Sequence, residues 1–333
     1  MATSCPHARI EPLNACRYLL DPIHMSVSAS PNRTRLRRIG WIVLASLLFL
    51  LAYFRAPLLA WHWSTTLAPD ASSPVHRLQL SDYRAVIQAQ PIAGIHDNLS
   101  GLTYSEATGT LFATINRPAQ IVELDTRGNL LRTVHVDGVR DMESIAHVAG
   151  GLFLVACERE STVYEVELTP GATTVQARAV SQAPLQILHR NRGIEALAWN
   201  RHSRQMLIGQ ESFPVRLLQS QAVAAGGDPG APPTRGWHPP DNNTSFMSDL
   251  SGMAYHEPSG HLFLLSDESA LIAEYTAAGE LVSVIPLWRG FHGLQRKIPQ
   301  AEGLTLSPDG VLFVVSEPNL FYRFEHAAQL ARE

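Results

Sequence analysis

Two columns of oxygen-bearing side chains recur along this chain. Ser100, Glu143, Glu195, Ser251 and Glu302 each stand third in a similar seven-residue unit. Asn116, Glu158, Glu211, Asp267 and Glu317 each close the apolar run that follows such a unit. Several carboxylates and an amide brought to one point cannot all stay ionised without a counter-charge. A hard divalent cation is one solution, because Ca²⁺ takes roughly six to eight oxygen ligands from carboxylates, amides and water. The expected metal set is Glu143, Glu195, Glu302, Asn116, Glu211, Asp267 and Glu317, with Ca²⁺ as the cofactor. Basic partners are another solution. Arg140 and Arg192 each precede a third-position glutamate by three residues and Lys297 precedes Glu302 by five, and with His96 they form a candidate ligand-binding group. If a metal-bound water were activated there, Glu195 or Glu302 would serve as the catalytic base. The plainer alternative is that these carboxylates bond backbone N–H groups of a neighbouring repeat and fix its geometry.

Other chemistries find no support. No His pair has zinc-site spacing, and neither a G-x-S-x-G elbow nor a phosphate-binding Gly-rich loop is present. The three cysteines, Cys5, Cys16 and Cys157, form no disulfide or zinc framework. Cys157 lies in the strand-like "LFLVACE" and reads as a buried small hydrophobe. A formal net charge of -4 gives no sign of a nucleic-acid partner.

The elements that must position the two columns follow from the repeat itself. The units "NLSGLTY", "DMESIAH", "GIEALAW", "DLSGMAY" and "QAEGLTL" start at 98, 141, 193, 249 and 300, a period of roughly 50 residues that suits propeller blades or helical repeats. Content decides between them. Each unit is followed by a turn and a second apolar run, such as "GTLFATIN" or "GHLFLLSDE", and in most by a third and fourth, such as "QIVELD" and "LLRTVHV". Short runs rich in Val, Ile, Phe and Tyr and punctuated by Gly and Pro are strands, and four strands per repeat make a propeller blade. The seven-residue unit is then the innermost strand. Its fourth and sixth letters are small, and its fifth is Leu, Ile or Met, which we expect to pack against the next blade. The chain ends after three strands of the last repeat, while "HRLQLSDYRAVIQAQP" (76–91) is strand-like and unclaimed. This strand should complete the last blade and close the ring. Five blades are expected, with six as the alternative if the long stretch between 200 and 248 hides another; within it the Gly/Pro-rich 224–243 reads as a surface loop between two blades.

The N-terminal region reads differently. Arg33, Arg35, Arg37 and Arg38 precede the apolar run "IGWIVLASLLFLLAYF", which "APLLAW" continues beyond Arg55. With Trp41, Tyr53 and Trp61 as interfacial anchors, 39–61 reads as one transmembrane helix with its N-terminus inside. A cleavable signal peptide is the alternative. The expected domains are a cytoplasmic tail, 1–38 (or from Met25), the anchor 39–61, a Pro/Ser-rich linker 62–76 and an all-β propeller 77–333. In a bacterium this places the propeller in the periplasm, tethered to the inner membrane.

Over roughly 77–325 the motifs "LSGLTY", "DMESIA", "LSGMAYHEPSGHLFLLSDES" and "AEGLTLSPDGVLFVVSEPNLFYRF" resemble the SdiA-regulated, or YjiK-like, family. That resemblance implies a bacterial envelope β-propeller and no particular chemistry. More distantly the "EGL" and "EGI" strands are similar to esterase-like phytases and lactonase-type propellers, metal-dependent hydrolases with acidic side chains at the channel mouth. Two functions are therefore expected as competitors. One is a periplasmic binding or scaffolding domain for a small-molecule or protein ligand, holding a cation. The other is a metal-dependent hydrolase of an ester, lactone or phosphoester.

Overall fold

The computed structural model describes residues 33–53, 78–182, 193–210, 215–221, 235–237, 244 and 246–330. The chain divides into two units, Met1–Ala56 and Pro57–Glu333. In the first, helix α1 spans Arg33–Tyr53. It starts ahead of the expected span, so that Arg35, Arg37 and Arg38 fall within it, and its large apolar side chains, among them Trp41 and Phe49, are exposed. Among the described residues no helix is long and apolar enough to cross a membrane. Residues 54–61, on which the expected span also draws, lie outside the described residues.

The second unit is all-β, and its described residues form five sheets. The first blade comprises β2 (Leu99–Ser105), β3 (Thr110–Ile115), β4 (Gln120–Leu124) and β5 (Leu130–Asp137), extended by β9 (Thr174–Gln176), which pairs parallel to β5. In the second are β6 (Met142–Ala149), β7 (Leu152–Cys157), β8 (Thr162–Glu167) and β10 (Arg178–Gln182). The third runs through β11 (Ile194–Asn200), β12 (Gln205–Gln210), β13 (Arg216–Gln221) and β14 (Arg235–Trp237). The fourth holds β15 (Gly252–His256), β16 (His261–Ser266), β17 (Leu271–Tyr275) and β18 (Leu281–Pro286). The fifth is β19 (Ala301–Leu306), β20 (Leu312–Ser316) and β21 (Leu320–His326), and β1 (Tyr83–Pro91) from the front of the chain is its outer strand.

That closure is fastened along its length. Tyr83 pairs with His326 and Pro91 with Leu320. The Tyr83 hydroxyl donates to the Gly310 carbonyl at 2.5 Å, and the Ala85 amide to the His292 carbonyl at 2.8 Å.

The small letters of the repeat explain the ring. Inner strands β2, β6, β11, β15 and β19 each touch the next, and β19 touches β2. A Cβ on Gly101 would lie 2.6 Å from the Ser144 Cα, and one on Gly303 would lie 2.7 Å from the Leu102 amide nitrogen. Bulk at the fourth letter would push neighbouring backbones apart. Hydroxyls on this face tie the strands instead. Thr103 Oγ1 accepts from the His147 amide at 3.1 Å, Ser144 Oγ from Leu197 at 3.0 Å and Thr305 Oγ1 from Tyr104 at 3.0 Å. The fifth letter faces the other way. Ile145 packs with Phe112, Ile121 and Val134 of the blade before it, and Leu304 with Phe263 and Leu265. This corrects the expected direction, which was toward the following blade. Each seam is thus a small face of one blade against a bulky face of the next, the complementary arrangement that fills a core.

Candidate functional site at the channel mouth

The entry to each inner strand is irregular in a regular way. In the first, second, third and fifth blades the register between inner and second strand slips by one residue at the third letter. The slips lie between Leu99 and Leu102, Met142 and Ser144, Ile194 and Ala196, and Ala301 and Gly303. Glu143, Glu195 and Glu302 are therefore the extra residues of β-bulges, which leave the ladder and re-aim a side chain. In the fourth blade the strand starts at Gly252, just after Ser251. One residue earlier, Asn98, Asp141 and Gln300 have φ of +61°, +52° and +36°. This left-handed backbone is tolerated best by Asn and Asp and persists only where surroundings enforce it.

The third-letter serines act as fasteners. Ser100 Oγ donates to the Glu143 carbonyl at 2.8 Å, and Ser251 Oγ to the Ala301 carbonyl at 2.7 Å, each on the following blade. The glutamates do something else. Glu143 is gripped by Ser100 Oγ at 3.0 Å and Asn116 Nδ2 at 3.0 Å. Burial pushes its carboxyl up, and the charges of Glu158 and Asp141 add to that against the two hydrogen bonds. Burial also drives Glu302 up to about 9, helped by the charges of Glu317, Asp267 and Glu143 and opposed by a hydrogen bond from Gln300. Glu317 is raised as well, by burial and then by Asp97 and Glu143. Glu143, Glu302 and Glu317, from both columns and from two blades, therefore influence one another electrostatically.

The remaining expected residues divide. Glu195 sits half-buried in its bulge on β11. Asp267 Oδ1 accepts from the Ala301 amide at 3.2 Å and faces Lys297 Nζ at 4.0 Å, so Lys297 serves Asp267. Arg140 is exposed, and its carbonyl faces Cys157 Sγ at 3.0 Å; His96 is exposed too. Glu211 and Arg192 lie outside the described residues. Asp97, Gln300 and Asp141 belong to the mouth and were not foreseen. For Asp141 and Gln300 the signal was the polar first letter of the units, shared with Asn98 and Asp249. Asp249 shows its structural use, since it accepts from Ser266 Oγ and from the amides of Asp267 and Glu268 at 3.1 and 3.3 Å.

The donor set is hard oxygen throughout, and one atom is orphaned. Asn116 Oδ1 is buried with no hydrogen-bond donor, while its Nδ2 holds Glu143. An unpartnered amide oxygen beside repelling carboxyls suits a cation of the calcium type. Among the described residues, however, no group of three or more His, Cys, Asp or Glu side chains is assembled to hold a metal ion.

The opposite end of the channel has a different character. A cavity of about 50 Å³ is lined there by Tyr104, His147, Trp199, Arg201 and His256, among others. His147 Nε2 lies 3.0 Å from the Gly150 carbonyl, which can only accept, so Nδ1 is left as an acceptor, and it has no partner. Burial lowers the pKa of His147 and of His256. This end carries none of the converging carboxyls.

A family model described as SdiA-regulated matches residues 75–325. Among solved structures, the chain is similar to one in a nidogen/laminin complex at 12% identity and a TM-score of 0.45, covering 66% of this chain and 73% of that one. It is similar to a luciferin-regenerating enzyme at 13% identity and a TM-score of 0.47, covering 72% and 95%. A PQQ-bound aldose sugar dehydrogenase from Streptomyces coelicolor shows 12% identity and a TM-score of 0.43, covering 73% and 97%.

Proposed function

The chain belongs to the SdiA-regulated family, and from that premise we propose that it is an envelope binding propeller whose acidic channel mouth takes a divalent cation, Ca²⁺ by preference. The observation that carries this reading is the buried Asn116 Oδ1, which lacks a donor beside Glu143 in a cluster where Glu143, Glu302 and Glu317 are pushed upward. Without a cation, burial and the neighbouring charges favour the protonated form of Glu302, and Glu317 is pushed in the same direction. A cation would exchange with the Glu302 proton and relieve the repulsion. Asn116, Glu143, Glu302 and Glu317 would hold it, with Glu195 and Asp267 alongside and water completing the shell.

Calorimetric titration of the purified protein with CaCl₂ tests this. Saturable binding at one ion per chain is expected, weakened at least about tenfold in Glu302→Gln and in Asn116→Leu, the loss of one charge-assisted contact being worth about 1.5–3 kcal/mol. Absence of both bound metal and binding heat would overturn the reading. Turnover of a lactone or phosphoester by the calcium-loaded protein, abolished in Glu302→Gln, would move the assignment to a metal-dependent hydrolase.

The same reading places the propeller outside the inner membrane on an N-terminal anchor. Its support is the arginine cluster at Arg33, Arg35, Arg37 and Arg38 ahead of an apolar run with exposed Trp41 and Phe49. The protein should stay in the membrane pellet through alkaline extraction, and its propeller should be cut by protease added to spheroplasts. Release into the alkaline supernatant would contradict the anchor.

A further inference from the structure

A groove of about 540 Å³ lies beside the channel mouth, where the turn after β3 meets the entry to β6. It shares Asn116 with the acidic mouth, yet its charge is opposite. Arg117, Arg140 and Arg159 line it, with Asp141 and the pair His135–Asp137. Asp141 is the organiser. Its buried carboxylate takes Arg117 Nε on Oδ1 at 2.8 Å and Arg159 Nε on Oδ2 at 3.1 Å. Both guanidinium side chains are nonetheless 69% exposed. A guanidinium has five N–H donors in a rigid fork, so Arg117, hydrogen-bonded to Asp141 through one of them, and Arg159, held by an ion pair, keep others to give.

A structural staple does not need this arrangement. One arginine would satisfy Asp141, and exposed ion pairs add little to stability. Here two arginines share one carboxylate and a third, Arg140, stands exposed on the same groove, leaving a local excess of positive charge in a chain of formal net charge -4. The volume falls within the range of small-molecule sites. Forked, preoriented guanidiniums are the groups that recognise carboxylate and phosphate in bidentate fashion.

We infer that this groove between the first two blades is an oxyanion-binding site, which receives the phosphate or carboxylate of a small ligand on Arg117, Arg159 and Arg140. The site goes beyond the cation reading and does not depend on it. A ligand seated here would extend past Asn116 toward the acidic mouth.

The test is calorimetry on the full chain with inorganic phosphate and, separately, citrate, in low-salt buffer freed of calcium. Saturable binding of at least one of them is expected, and the tighter of the two identifies the source of the oxyanion. Arg159→Ala and Arg140→Ala should each weaken it at least about tenfold. Arg159→Lys, which keeps the charge and loses the fork, should recover only part of the affinity. Arg178→Ala, at an arginine paired with Glu165 outside the groove, should leave it unchanged. Failure of both probes to bind would overturn the inference. So would unaltered affinity in Arg140→Ala and Arg159→Ala together with lowered thermal stability, which would make the cluster a staple. Because calcium is absent throughout, failure of the cation reading leaves this outcome untouched.

Discussion

At the scale of the residue, Glu302 concentrates the argument. Its carboxyl is pushed up to about 9, by burial first and by Glu317, Asp267 and Glu143 next, whereas an unfolded glutamate titrates near about 4.3. The folded state therefore holds a proton that the unfolded state gives up. The stability due to this group is complete below the unfolded value and is lost as pH rises toward the folded value. Glu302→Gln keeps the shape and removes the titration. In calcium-free buffer its Tm should match the wild type near pH 4 and exceed it by about 4 °C or more at pH 8.5, which corresponds to roughly 1–2 kcal/mol in a domain of this size. A difference that does not change with pH would contradict the assignment. The sequence drew attention to this residue because the third letter recurs. It could not disclose Asp97, whose influence depends on how loops fold over the mouth, nor the use of Lys297 on Asp267.

At the scale of the element, the inner strand does two jobs that oppose each other. Its fourth and sixth letters must be small so that neighbouring strands can close in, while its third letter must leave the ladder to reach the mouth. The bulge reconciles them, because it adds one residue at the point where the side chain must be re-aimed. Strict alternation, the assumption available from sequence, reads the small face correctly and cannot reveal the slip. It also could not say which neighbour each face meets, and the fifth letter proved to pack on the preceding blade. Gly101→Ala tests the closeness of the ring. Its Cβ would stand 2.6 Å from the Ser144 Cα, a backbone atom that cannot turn aside. Overpacking of this kind costs about 1–3 kcal/mol, so denaturant unfolding should show that loss with an unchanged m-value. A variant as stable as the wild type would mean that the strands do not approach as described.

At the scale of the whole molecule, closure by β1 sets how the propeller survives. The strand comes from the front of the chain and pairs with β21 from its end, so a single sheet holds both ends of the ring and no blade is left with an open edge there. This much was legible, because a blade short of one strand and an unclaimed strand-like segment call for each other. The blade number followed from the same count. The residues around 224–243 were harder, since Gly and Pro report a break in regular structure without saying what surrounds it. Removing residues 1–74 should leave cooperative unfolding intact, whereas removing residues 1–91 should abolish it and give aggregates through the exposed edge of β21. Equal behaviour of the two truncations would show that β1 is dispensable. The central claim joins the mouth to the whole: the buried Glu302 carboxyl, pushed up to about 9, gives up its proton to a divalent cation. The measurement that meets it most directly is proton release on adding CaCl₂ to weakly buffered protein at pH 7.5, followed by pH-stat. The account predicts release of about one proton for each Ca²⁺ bound, absent in Glu302→Gln. Calcium binding without proton release, or no binding at all, would contradict it.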